Sequence, residues 1–182
     1  MLRLLRWSVM VVMAFTVSAC ATMNVSSHVV RGLDFTQFHS WQWAPADALP
    51  VSDVRLDNPF FQDHFQGAVE REMARRGLVL TRTTAEAPDL LVHYHANVAP
   101  RMVVNTGEPT VGACYDEDCT VRVFENEVGT MMIDVIDAHT NHLIWRGWAQ
   151  TSIAGVLDHP KRLEDRIQQA VKGMFTKFPR SI

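Results

Sequence analysis

Much of what would announce a biochemical activity is missing from this chain of 182 residues. It has no zinc-hydrolase HExxH, no serine-hydrolase GxSxG, no phosphate-cradling P-loop and no GxGxxG dinucleotide turn. The reading is therefore of a protein that is not an enzyme and needs no cofactor. No block of lysine and arginine stands outside the first residues, which argues against nucleic acid as a partner. The N-terminal apolar stretch, residues 7–17, falls short of the roughly 20 residues that a permanent membrane span needs. No internal repeat or low-complexity segment occurs. Cysteine is scarce, with three in all: Cys20, Cys114 and Cys119.

What is present at the start is an export signal. Arg3 and Arg6 precede the apolar stretch, and the small-residue run Val17-Ser18-Ala19 leads to Cys20. Val17-Ser18-Ala19-Cys20 resembles the lipobox of bacterial lipoproteins, which implies cleavage before Cys20 and lipid on that residue. Ala21 after the cysteine resembles lipoproteins sent to the outer membrane, and several acyl chains on one residue would anchor the chain firmly. An ordinary signal peptide with an incidental cysteine is the alternative. Residues 1–19 are thus expected to be the signal peptide, 20–27 a lipidated cysteine and tether, and 28–182 a single domain. The chain has 17 Lys+Arg against 20 Asp+Glu, so removing two arginines with the leader leaves a charge of −5.

In an oxidising periplasm, Cys114 and Cys119 are expected to close a small-loop disulfide. A Cys-x4-Cys metal half-site is the rival, and it lacks a second pair nearby in sequence. The cysteines fall in residues 100–127, which read as a long excursion with a further strand at 120–124. Loops of that length often carry function.

The clearest structural signal is the run 129–153, two alternating strands around a tight turn at His139-Thr140-Asn141. Asn141 supplies the residue that tolerates a left-handed conformation. If Ala138 pairs with His142, then Val135 faces Trp145, Ile133 faces Gly147 and Met131 faces Ala149 on the apolar side. On the other side Ile136 meets Ile144, Asp134 meets Arg146 and Met132 meets Trp148. Before this hairpin, Trp41 and Trp43 project from one face of a first strand as core residues. Asp57-Asn58-Pro59 opens a helix with an apolar stripe of Phe61, Phe65, Ala68, Val69 and Met73, stopped at Gly77. A short strand at 78–81 follows, then one at 90–98 that points Leu90, Val92, Tyr94, Ala96 and Val98 one way. After the hairpin, Asp158-His159-Pro160 starts a last helix with Leu163, Ile167, Ala170, Val171, Met174 and Phe178 on one side, ended by Pro179. About six strands and two amphipathic helices predict an α+β fold, a two-layer sandwich with a mostly antiparallel sheet and both helices on one face.

Taken together, DFTQFHSWQW, the helix ending ARRGL, the strand PDLLVHYH, the hairpin GTMMIDVIDAHTNHLIWRGWA and the closing KFPRSI resemble the bacterial lipoprotein family known as domain of unknown function four-one-three-six. The resemblance covers nearly all of the expected mature chain. It departs at Asn141, where glycine is usual, and in the cysteine-bearing insertion. It implies a Gram-negative envelope lipoprotein and supplies no catalytic residues.

Two readings of the sheet's outer face remain. His93 and His95 alternate onto it at a workable metal spacing, with Asp134, His139 or His142 as a third ligand; the preferred reading of the pair is two polar residues on a wet face. Alternatively, Met132, Asp134, Ile144, Arg146 and Trp148 form a binding face, an apolar patch with charge, to which an envelope protein partner docks. The excursion at 100–127 folding over that patch is the competing explanation. The expected function is that of a lipoprotein held at the periplasmic side of the outer membrane with a binding or structural role, the alternative being a periplasmic metal or small-ligand binder using His93 and His95.

Overall fold

A computed structural model describes residues 23–45, 51, 53–82, 87–105 and 122–179, the side chains of 102–105 and 122–125 excepted. The described residues form six strands: β1 (Asn24–Val29), β2 (Ser40–Trp43), β3 (Val79–Leu80), β4 (Leu90–Asn105), β5 (Arg122–Asp137) and β6 (His142–Ser152). The helices are α1 (Pro59–Ala74) and α2 (Pro160–Phe175). The strands form one sheet in the order β1-β6-β5-β4-β2-β3. Its long strands run antiparallel, while β2 lies parallel to both β3 and β4. The parallel part follows from α1, which carries the chain from β2 back to the start of β3 as a crossover. The α+β expectation thus holds, with a mixed sheet. No described helix is long and apolar enough to cross a membrane.

Local chemistry sets the helix ends. The Asn58 side chain accepts a hydrogen bond of 2.9 Å from the Phe61 N–H, and Pro59 occupies the first turn, where its missing N–H costs nothing. Gly77, at φ +79°, takes the left-handed conformation that stops α1. The whole predicted stripe of α1 is buried, as is that of α2 together with Phe175. At about 1.5–3 kcal/mol for each fully buried large apolar side chain, these two stripes supply much of the drive to fold. Both close over the sheet face bearing Trp41, Leu90, Val92, Ile133, Val135 and Trp145, so the second layer is built from the two helices side by side.

Arg76 joins the helices at their C-terminal ends. Its Nη1 donates to the Glu72 carboxylate at 2.9 Å and to the Glu72 carbonyl at 2.7 Å, and its Nη2 donates to the carbonyl of Phe175. Its guanidinium also lies 4.9 Å from the Phe175 ring centroid. One side chain therefore caps the Glu72 carbonyl of α1 and adds a second donor to the Phe175 carbonyl of α2, which also accepts from the Phe178 N–H at 3.1 Å.

Three expectations need correcting. Residues 24–27, read as tether, belong to β1 and pair with 147–150 of β6, because alternating side chains there let Val25 pack beneath α2 beside Gly173. Residues 100–105 and 122–127, read as parts of a loop, continue the β4–β5 ladder from Pro100↔Glu127 to Asn105↔Arg122. Of the strand expected at 120–124, residues 122–124 are part of β5. Residues 106–121, with Cys114 and Cys119, lie outside the described residues, as does Cys20. The hairpin, too, departs from the expected register next to its turn, where the β5–β6 ladder shifts after Val135.

Candidate binding face

The outer face of the sheet takes its form from the register of β4, β5 and β6. Val135↔Trp145, Asp134↔Arg146, Ile133↔Gly147, Met132↔Trp148 and Met131↔Ala149 all pair as predicted. Next to the turn the ladder shifts, so that Ile136 faces Leu143 and Asp137 faces His142. Ile144 is the extra residue of a bulge, and it and Trp145 are both buried in the core. Ile144 is therefore removed from the candidate binding face and Leu143 takes its place beside Ile136. The loop gains a residue, 138–141, with Asn141 at φ +57° and the Asp137 carboxylate accepting from the N–H groups of His139 and Thr140 at 2.8 and 3.2 Å. No spacing argument distinguishes this turn from the shorter one, since both end on a left-handed Asn141.

Gly147 shows how strongly this register is specified. The Trp145 indole lies across it, so that a Cβ at 147 would stand 2.3 Å from one indole carbon and 3.0 Å from the Met174 Cβ. The tryptophan is wholly buried against Phe175 and Phe178, with ring centroids 5.3 and 5.0 Å away. Sheet and helix layer are keyed together here, which fixes the side chains on the other face by alternation.

That other face carries ordered rows. Leu91, Ile136 and Leu143 form an apolar row; beside it run His93, Asp134, Arg146 and His28; then His95, Met132, Trp148 and Ser26; then Asn97, Thr130, Gln150 and Asn24. Both described helices lie on the opposite side of the sheet. Met132, Arg146 and Trp148 are half-buried, while Asp134 is buried.

Asp134 and Arg146 are the electrostatic centre. Arg146 Nε and Nη2 donate to the two carboxylate oxygens at 2.6 Å each, a bidentate pair. These bonds raise the guanidinium's pKa against the opposing effect of burial, so the arginine stays charged. His95 Nε2 lies 3.7 Å from Asp134 Oδ2. Burial lowers the His95 pKa below the ordinary 6.5, and Arg146 and His93 reinforce the shift; the attraction of Asp134 does not overcome them.

The structure does not assemble the predicted metal ligands. His93 and His95 share the face, but both oxygens of Asp134 are committed to Arg146. His139 and His142 lie at the hairpin end, with His142 opposite Asp137, about 10 Å along the strand from Asp134. Among the described residues no group of three or more His, Cys, Asp or Glu could hold a metal ion.

Sequence reasoning missed Asp89, which lies between the strands expected at 78–81 and 90–98. Its Oδ2 accepts from the N–H groups of His39 and Ser40 at 2.8 and 2.9 Å and from the Ser40 hydroxyl at 3.0 Å, joining the starts of β2 and β4. Burial opposes ionisation, but these hydrogen bonds outweigh it and lower the pKa below 3.8. The one sequence signal was an aspartate at the mouth of a strand, which does not say what it will bind.

The fold has relatives among solved structures. A PDZ domain protein from Parabacteroides distasonis superposes with a TM-score of 0.53 at 16% identity, over 87% of this chain and 36% of that one. The chain thus spans about a third of that protein's length. A DUF4136 family protein from Bacteroides thetaiotaomicron superposes with a TM-score of 0.50 at 13% identity, over 87% of this chain and 97% of that one. At these identities the likeness is one of fold. None of the curated proteins matches the chain in sequence. The profile described as "Domain of unknown function (DUF4136)" matches residues 25–180, and the chain belongs to that family.

Proposed function

We propose that this DUF4136 protein is a non-catalytic envelope lipoprotein, anchored through lipid on Cys20 at the periplasmic side of the outer membrane, that docks a protein partner on the outer face of its sheet. The single observation that carries the docking reading is the composition of that face. An apolar row of Leu91, Ile136 and Leu143 and the half-buried Met132 and Trp148 flank the pair of a buried Asp134 with a partly exposed Arg146, with no described helix over them. Interfaces concentrate their energy in such aromatic and arginine anchors, surrounded by groups that exclude water. The lipobox residues Val17-Ser18-Ala19-Cys20 support the anchoring.

Photo-crosslinking in cells tests the docking reading, with the reactive side chain placed at position 148 and a control at the exposed Gln169 on α2. Capture of one discrete protein at 148, absent at 169, is the expected result. Equal capture at both positions, or none, would remove the basis for it. Cys20→Ala should release the protein from the membrane fraction; retention there would contradict the anchor.

A further inference from the structure

We propose a second site, on the helix layer: the cleft between α1 and α2 binds a phosphate group. The cleft holds about 190 Å³, opens to solvent and is lined by Arg71, Glu72 and Arg75 of α1 and by Gln168, Val171 and Lys172 of α2. Three cations thus meet one carboxylate, and that carboxylate is already spent. Glu72 is more than nine-tenths buried, and its two oxygens take Nη1 of Arg75 and Nη1 of Arg76. Arg71 and Lys172 face the cleft with no carboxylate partner among the described residues.

Cations elsewhere on the surface differ in whether they are paired, and the cleft is set apart by bringing three of them around one concave space. Lys161 of α2 reaches both Glu164 and Asp165, and Arg55 ahead of α1 reaches both Asp53 and Glu127. In a chain with a formal charge of −3, the cleft gathers Arg71, Arg75 and Lys172 around the single Glu72 carboxylate. Favourable interaction with the helix dipoles explains a cation near each C-terminus, but Arg76 already bonds carbonyls of both helices. Arg71 and Lys172 remain, with the guanidinium of Arg75, already bonded to Glu72 through Nη1, beside them around a concave space. That donor set suits a tetrahedral oxyanion, which accepts several charge-assisted hydrogen bonds at once. The phosphate can be a free anion or part of a lipid headgroup, since both present the same oxygens.

The test uses the full chain purified in neutral detergent, titrated calorimetrically with inorganic phosphate at constant chloride. Saturable binding is expected, weakened by about tenfold or more in Arg71→Gln/Lys172→Gln, because each lost partner removes a charged hydrogen bond. Lys161→Gln, which alters a paired cation elsewhere on α2, should bind as wild type. Both substituted positions are exposed, so near-ultraviolet circular dichroism should show the variants folded. Vesicles of phosphatidylcholine with and without phosphatidylglycerol serve as competitors. Displacement of phosphate by the anionic vesicles alone assigns the headgroup as the source, and no displacement assigns the free anion. Absence of saturable binding, or equal affinity in the double variant, would overturn the proposal.

Discussion

Asp134 and Arg146 face each other across β5 and β6 and exchange two hydrogen bonds of 2.6 Å, yet the two partners sit in unequal surroundings. The aspartate side chain is 8% exposed and the arginine 42%. Arg146→Ala strands a buried carboxylate, whereas Asp134→Ala leaves a guanidinium able to turn to water. The expected losses in stability are about 2–3 kcal/mol for the first and roughly half that for the second. Urea unfolding of the two variants measures the difference; equal losses would mean that both groups reach solvent equally.

His95 gives the face a pH dependence of definite sign. Its folded pKa lies below 6.5 because burial disfavours the imidazolium, so the unfolded chain binds the proton more readily. Its contribution to stability is present above pH 6.5 and is lost as pH falls through the folded pKa. His95→Gln should flatten that part of the stability profile. Because Arg146 is one of the groups lowering the pKa, Arg146→Ala should raise it. Titration of the His95 ring signals by NMR checks both statements.

Gly147→Ala places a methyl group where the Trp145 indole already lies. The indole is wholly buried and cannot swing away without disturbing Phe175 and Phe178. A loss of about 2–3 kcal/mol is expected, with a change in the near-ultraviolet signal of the tryptophan. Thermal unfolding together with that spectrum would test it.

Asp89→Ala removes the acceptor shared by His39, Ser40 and the Ser40 hydroxyl at the junction of β2 and β4. A cost of about 2 kcal/mol is expected, partly recovered in Asp89→Asn, which keeps one oxygen. Since the folded pKa of Asp89 is lowered below 3.8, its contribution stands above that pH and is lost as pH falls through the folded pKa. The Asp89→Ala variant should lack that acid-dependent component in denaturation measured by circular dichroism.

What could be read from the sequence was whatever a short repeat period dictates. The stripes from Phe61 to Met73 and from Leu163 to Met174 follow from helical spacing, and the register from Met131↔Ala149 to Val135↔Trp145 follows from strict alternation. The bulge at Ile144 escaped because an inserted residue breaks the very period used to find it. β1 escaped because Asn24-Val25-Ser26-Ser27 is polar on its outward side and becomes a strand only against β6. The arms of β4 and β5 escaped for a related reason, since Pro100 and its neighbours read as a break until the ladder opposite is seen. On the candidate face, the Asp134–Arg146 pairing was legible from register, whereas the cleft of Arg71 and Lys172 depends on two helices that are distant in sequence and adjacent in space.

The docking of a partner on the outer sheet face is tested most directly by fluorine NMR of the chain labelled with 5-fluorotryptophan, its signals assigned by single Trp→Phe variants. On addition of the solubilised envelope fraction, the Trp148 resonance should shift or broaden while those of the buried Trp41 and Trp145 stay in place. Arg146→Glu, which reverses the charge beside it, should abolish the change. A Trp148 signal that the envelope fraction leaves untouched, or that moves only together with the core tryptophans, would contradict the account.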